Sequence, residues 1–177
     1  MYTSNCQQKN IAWYLPRPKP DHYKGGMPLY CEEWLLELAR DILHKKNIKI
    51  LNLFCGMNKY GVRVDINPDV KPDYCCDVHK ISEVLKEKFD VILADPPYSN
   101  DESKQLYGTG KLNYMKWTEE SDKLLVDNGL MIIYHKLIMP NPNKDKYSIV
   151  KRVFIGSRIY HQPRVALYFM KKTFTCK

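Results

Sequence analysis

The chain has 177 residues, 44% hydrophobic and 27% charged, with 28 Lys and Arg against 20 Asp and Glu for a formal net charge of +8. That is the size and balance of one ordinary globular domain with a single sizeable core. No apolar run approaches bilayer length, and Met1–Cys6 has no signal-type apolar segment, so a cytoplasmic, membrane-free protein is expected. The positive charge points to an anionic partner such as nucleic acid.

Residues 1–24 carry Pro16, Pro18 and Pro20 interleaved with Arg17 and Lys19, and read as a Pro-rich basic segment, irregular or extended. Residues 25–177 read as one domain. Gly25-Gly26-Met27-Pro28 marks a turn. Trp34, Leu35, Leu38, Ala39, Ile42 and Leu43 recur at helical spacing, which predicts a helix over about Pro28 to Lys45. Strands are predicted at Ile48–Phe54, Val62–Ile66 and, more weakly, Asp73–Val78. A short helix at about Ile81 to Lys86 precedes a fourth strand, Phe89–Ala94. Ser99 to Tyr114 is polar and reads as a loop over the site. A helix from about Met115 to Val126 should stop at Asn128-Gly129. Leu130–His135 is a fifth strand. Val153–Tyr160 and Val165–Met170 flank His161-Gln162-Pro163-Arg164 and read as a closing hairpin. Strands and helices mix throughout, so the class is α/β.

The six cysteines (Cys6, Cys31, Cys55, Cys75, Cys76 and Cys176) form no C-x-x-C, and no His lies at zinc-like spacing from a pair. Free, buried thiols are expected, and no metal.

The chemistry concentrates at Asp95-Pro96-Pro97-Tyr98. Two prolines cannot continue a ladder, and each pushes its predecessor out of the helical region. The result is a stiff loop at a strand's carboxyl end, able to aim a carboxylate and a backbone carbonyl at one point beside an aromatic face. An amine there could donate both hydrogens and stack on Tyr98. A structural Pro-Pro turn would show the same residues.

This tetrapeptide resembles the D-P-P-Y motif of S-adenosylmethionine-dependent amino-methyltransferases, which methylate exocyclic amines of nucleic-acid bases. The order of other elements is similar to that family over about Tyr23 to Lys172. The resemblance implies a Rossmann-like class I methyltransferase fold, with a mostly parallel seven-stranded sheet and a C-terminal antiparallel hairpin. It implies S-adenosyl-L-methionine as cofactor. Phe54-Cys55-Gly56 corresponds to the F-x-G-x-G cofactor loop, Asp65 to the acid on the cofactor ribose, Ile66 to an apolar face for adenine, and Asp77-Val78 to the adenine contact. Asp95 would border the cofactor as well as the target amine. Tyr23-Lys24 falls in the family's N-terminal cofactor element, although a turn and helix start account for the same residues.

The chain departs from the pattern in one place. Gly56 is followed by Met57-Asn58-Lys59-Tyr60-Gly61, without the second motif glycine. Eight residues between Gly56 and Asp65 are too few for the usual crossover helix, so an irregular connection is expected. No G-x-G-x-x-G follows the first strand, which argues against a nicotinamide enzyme.

The resemblance implies Asp95, Pro96, Pro97 and Tyr98 as the catalytic element, with Tyr98 toward the substrate. On the substrate side Tyr107 is a candidate to stack on a base, and Arg164 reads equally as a phosphate contact or a solvated hairpin charge. Tyr114 and Trp117 are further stacking candidates, with core packing the plainer role for Trp117. His135 reads as a satisfied buried histidine that could face the crevice. Asp before Pro-Pro-Tyr implies adenine N6 as the acceptor, in DNA first. An RNA adenine methyltransferase and a catalytically silent nucleic-acid-binding subunit remain as alternatives. A homodimer or a separate specificity subunit stays open, because no target-recognition domain is evident.

Overall fold

The computed structural model describes residues 11–12, 27, 30–98, 112–156 and 162–173. Tyr23, Lys24, Tyr107, most of the Ser99–Tyr114 loop and His161 lie outside them. In chain order the elements are β1 (Ile11–Ala12), α1 (Cys31–Leu43), β2 (Ile50–Leu53), β3 (Val62–Asp65), β4 (Tyr74–Cys75), α2 (Ile81–Val84), β5 (Phe89–Ala94), α3 (Tyr114–Asp122), β6 (Leu125–His135), β7 (Tyr147–Gly156) and β8 (Arg164–Lys171). They form one sheet of order β1-β7-β8-β6-β5-β2-β3-β4. β4, β3, β2, β5 and β6 run parallel, and β8 is antiparallel to both β6 and β7. This is the expected mostly parallel sheet with its antiparallel pair. The two-residue β1, parallel to β7 at Ile155 and Gly156, adds an eighth strand.

Each central strand is apolar on both sides because helices cover both faces. On one face Leu51, Leu53, Ile92, Ala94, Met131 and Ile133 pack beneath Trp117 of α3 and Ile81 of α2. On the other, Ile50, Val91, Leu93, Leu130, Ile132 and Tyr134 pack against Cys31, Leu35, Leu36 and Ala39 of α1. α1 has acids in its first turn and Arg40 in its last, matching the helix dipole. Tyr168 hydroxyl donates to the Leu35 carbonyl at 3.0 Å, tying that helix to β8.

Several boundaries differ from those read in the sequence. α1 begins at Cys31, three residues after Pro28. α3 ends at Asp122, and β6 begins at Leu125, five residues before the expected strand. The Asn128-Gly129 pair is therefore a bulge within β6 rather than a helix stop. Asn128 has φ +57°, and the register with β5 shifts between Phe89↔Leu125 and Val91↔Leu130. A helix cap and a bulge both call for a positive φ, so the local chemistry cannot tell them apart. β7 starts at Tyr147, well before Val153. Among the cysteines, Cys31 and Cys55 are buried and free as expected, but Cys75 is exposed and Cys76 half-buried, because β4 is a short edge strand.

Asp122, at the end of α3, joins three elements. Its Oδ1 accepts from the Tyr147 hydroxyl at 2.7 Å, and its Oδ2 from Lys146 Nζ at 2.8 Å. Lys171 Nζ lies 3.2 Å from Oδ1 and donates to the Asp122 and Leu125 carbonyls. Burial would push this carboxyl up, but the Lys146, Tyr147 and Lys171 partners outweigh it and hold it below the usual range. Its stabilising effect is thus present above the ordinary carboxylate pKa and lost as pH falls through the lower folded value. We expect Asp122→Ala to cost roughly 3 kcal/mol, because it strands a buried hydroxyl and an ammonium. In urea unfolding, the gap between the parent and Asp122→Asn should narrow as pH drops below about 4.

Candidate active site

Open parallel sheets bind ligands where adjacent strands send their connections to opposite sides. Here that point lies between β2 and β5. β2 continues to β3 on one side, and β5 to β6 on the other. Leu53 is in register with Ala94, and the Asp95 N–H approaches the Leu53 carbonyl at 3.4 Å. The turn Phe54-Cys55-Gly56 and the Asp95–Tyr98 loop therefore leave the sheet side by side.

The β2–β3 connection contains no helix. Phe54 and Gly56 have φ of +54° and +47°, and Gly61 has +79°. A Cβ on Gly61 would lie 2.5 Å from the Ile50 carbonyl oxygen, so only glycine lets the chain return this closely beside β2. Phe54 meets Trp117 edge to face at 5.5 Å. Cys55 is buried, and burial first, with the neighbouring Asp65 charge, pushes its thiol up to about 11. That thiol is no nucleophile at neutral pH.

Asp65 ends β3 and is 5% exposed. Its Oδ2 accepts from the Gly56 N–H and its Oδ1 from the Asn67 N–H, both at 2.9 Å. Each oxygen keeps a second lone pair. Asp65 thus sets the Gly56 turn as well as presenting an acid at the crevice. The next residue, Ile66, is exposed. Arg63 reinforces the same corner, with its guanidinium donating to the Val70 carbonyl at 2.8 Å and the Lys71 carbonyl at 3.1 Å.

Asp77 follows β4. Its Oδ1 accepts from the His79 N–H at 2.9 Å and meets His79 Nδ1 at 2.7 Å. Burial alone would raise its pKa, but the His79 contacts outweigh it and hold the carboxyl low. His79 Nε2 in turn accepts from the Asn113 N–H at 3.0 Å, which assigns its proton to Nδ1. This imidazole links the Asp77 turn to the start of α3. Val78 is buried in the core, so its main chain is what it can offer a ligand.

Asp95, Pro97 and Tyr98 are half-buried and Pro96 buried. The Tyr98 hydroxyl lies 3.5 Å from Asp95 Oδ1. Arg164, at the start of β8, donates from Nε to the Tyr98 hydroxyl at 3.0 Å, and its guanidinium lies 4.6 Å from the ring centroid. Lys136 Nζ is 5.5 Å from that centroid, and the buried His135 meets the ring edge to face at 5.1 Å. His135 Nδ1 accepts from the Leu137 N–H at 2.9 Å, the satisfied histidine expected. Tyr98 is therefore surrounded by cationic and polarisable groups that favour its electron-rich face. Trp117 is fully buried, and Tyr114 packs on it at 5.6 Å while donating to the Pro140 carbonyl at 2.6 Å. Both are packing residues here.

The sequence reading missed Glu32. This residue of the first turn of α1 is 9% exposed. Its Oε1 accepts from Asn52 Nδ2 at 2.7 Å and from the Tyr60 N–H at 3.1 Å, and its Oε2 from the Lys59 N–H at 2.9 Å. Asn58 Nδ2 donates to Asn52 Oδ1 at 3.3 Å. Burial pushes the Glu32 carboxyl up against the pull of these donors. The one available signal was Asn52, a polar residue in an otherwise apolar strand. No metal-binding cluster of His, Cys, Asp or Glu, and no helix long and apolar enough to cross a membrane, occurs among the described residues.

No family model matches the chain, and no curated protein matches its sequence. Solved structures do resemble its fold. The N-methyltransferase NodS from Bradyrhizobium japonicum, in complex with S-adenosyl-L-homocysteine, superposes with a TM-score of 0.59 at 14% identity, over 88% of this chain and 94% of that one. TrmN from Thermus thermophilus gives 0.54 at 14% identity, over 79% of this chain and 48% of that one. TehB from Haemophilus influenzae gives 0.51 at 12%, over 80% and 62%. The fold is the Rossmann-like class I methyltransferase fold.

Gly61→Ala tests the tight connection. A methyl group at positive φ against the Ile50 carbonyl should cost roughly 2 kcal/mol, read as a lower urea midpoint. An unchanged midpoint would mean that the turn yields without strain.

Proposed function

We propose that this protein is an S-adenosyl-L-methionine-dependent methyltransferase acting on the exocyclic N6 amine of adenine in nucleic acid, with DNA as the expected polymer. The observation that carries this reading is the pairing of Leu53 with Ala94. It sets the Phe54–Gly56 turn beside Asp95-Pro96-Pro97-Tyr98, with Asp65 at the end of the next strand. The likeness to NodS, an N-methyltransferase seen with S-adenosyl-L-homocysteine, supports the cofactor.

The residues fit the proposed cofactor as follows. Asp65, with a lone pair left on each oxygen, would accept from the ribose hydroxyls. The exposed Ile66 would lie against the adenine, and the Asp77 turn would meet the adenine edge. The cofactor supplies an electrophilic methyl group on a sulfonium. The acceptor is a poor nucleophile because its lone pair is delocalised into the base. Asp95 and the Pro96 carbonyl would accept hydrogen bonds from its two N–H groups and draw the nitrogen toward tetrahedral geometry, and the one proton that the methylated amine must lose would pass to Asp95. Tyr98 would stack on the base, its ring and hydroxyl held by Arg164. Alignment of this kind supplies several kcal/mol of a barrier reduction. A base in a duplex must first be flipped out. The net charge of +8 favours a polyanionic substrate.

The deciding assay is transfer of a labelled methyl group to matched DNA and RNA oligonucleotides, followed by nucleoside identification. Label in N6-methyladenosine of RNA alone would replace DNA as the substrate. No transfer to either polymer, with the cofactor bound, would overturn the nucleic-acid reading. Asp95→Ala should abolish transfer, and Asp95→Asn should keep a measurable fraction, because the amide retains one acceptor oxygen. Both should lose turnover more than cofactor affinity. Asp65→Ala should weaken cofactor binding at least tenfold, about 1.4 kcal/mol, by titration calorimetry.

A further inference from the structure

We infer that Glu32 is a positioning residue that locks the Met57–Tyr60 turn and through it holds the adjoining Phe54–Gly56 cofactor turn in shape, standing in for the crossover helix that the β2–β3 connection lacks. The inference rests on the reading that the adjoining Phe54–Gly56 turn receives S-adenosyl-L-methionine.

Between β2 and β3 the chain has only residues 54–61. In a parallel unit joined by a helix, the helix would hold the loop's backbone and anchor it to the sheet. Here every anchor comes from a side chain or a neighbouring carbonyl. The Cys55 N–H donates to the Val64 carbonyl at 3.1 Å, and the Asn58 N–H to the Cys55 carbonyl at 2.8 Å. The Gly56 N–H goes to Asp65. The last two amides of the turn, on Lys59 and Tyr60, both end on Glu32. Met57 is the one residue from Cys55 to Tyr60 whose N–H is outside this set.

Glu32 reaches the turn from a different part of the chain. It sits in α1, 27 residues before Lys59, and that helix packs on the face of the sheet bearing Asn52. The carboxylate grips strand and turn together. Oε1 takes the Asn52 amide and the Tyr60 N–H, and Oε2 takes the Lys59 N–H. The Asn52 amide also reaches the Tyr60 carbonyl at 3.2 Å, and its oxygen takes Asn58 Nδ2. Three residues of the turn are thus held by a two-residue hub. Charge-assisted bonds to backbone N–H groups are the stronger kind. Burying the carboxylate has a real cost, seen in the upward push on its pKa, and that cost is offset only while all the donors stay in place. The network therefore favours one turn geometry over others.

The function follows from preorganisation. A turn already fixed in the shape that meets a ligand does not lose entropy on binding, so affinity rises without any new contact. Glu32 does this at second hand, because its oxygens are taken by the turn.

The test compares the parent with Glu32→Ala and Glu32→Gln. Two readouts are used: hydrogen exchange at the Lys59 and Tyr60 amides, and the KM for S-adenosyl-L-methionine beside kcat. Glu32→Ala should free both amides to exchange and raise the cofactor KM at least tenfold, with a smaller fall in kcat. Glu32→Gln keeps the shape and one acceptor, so it should recover part of the KM. A folded Glu32→Ala with parental KM, or a loss confined to kcat, would overturn the clamp while leaving the functional reading intact. If Glu32→Ala does not fold, Glu32→Gln with parental KM and unprotected Lys59 or Tyr60 amides overturns it. A parent protein that binds no S-adenosyl-L-methionine would overturn the functional reading itself, and the proposed role of Glu32 with it.

Discussion

The parallel pairing of β2 with β5 is the contact on which the site depends. These strands are not neighbours in sequence, since β3, β4 and α2 intervene. Their register, Ile50↔Val91 to Leu53↔Ala94, is fixed by burial on both faces. A one-residue slip would turn Leu51 and Leu53 toward α1, and Asn52 toward Trp117. Because that slip is so costly, the two loops emerging above the pair cannot drift relative to each other. The Phe54–Gly56 turn and the Asp95–Tyr98 segment are thereby held side by side.

The same register decides where polarity can enter the core. Asn52 is fully buried between apolar neighbours and faces α1. An amide there is tolerable only because Glu32 accepts from it and Asn58 donates to it. Removing either strand pairing or helix packing would leave these groups unsatisfied together. The polar hub is thus a check on correct assembly as well as a support for the turn.

Much of the sheet was legible in the sequence because its strands are short apolar runs punctuated by acids. Phe89–Ala94 is found at the expected residues, and the order of Phe54–Gly56, Asp65, Asp77 and Asp95 along successive strand ends is the observed one. The irregular β2–β3 connection followed from a count of residues. What was illegible depends on partners distant in sequence. Asn128-Gly129 has the same left-handed chemistry in a bulge as in a cap. Glu32 looks like an ordinary first-turn acid until Asn52, Lys59 and Tyr60 are folded against it. The contact of Arg164, read as a phosphate contact or a solvated hairpin charge, with Tyr98, 66 residues away, had no local signal.

That last contact has a bearing on how the protein is made. β8 runs antiparallel to β6, with Val165 paired to His135, so the beginning of this late strand arrives at the carboxyl end of the parallel ones. β2, β3 and β5 are all synthesised well before Arg164. The Asp95–Tyr98 loop is then present, but its aromatic ring has no guanidinium against it. Synthesis proceeds at about 5–20 residues per second, so the interval between Tyr98 and Arg164 lasts on the order of several seconds. Over that interval the Asp95–Tyr98 segment lacks the Arg164 contact, which can form only when β8 docks beside β6.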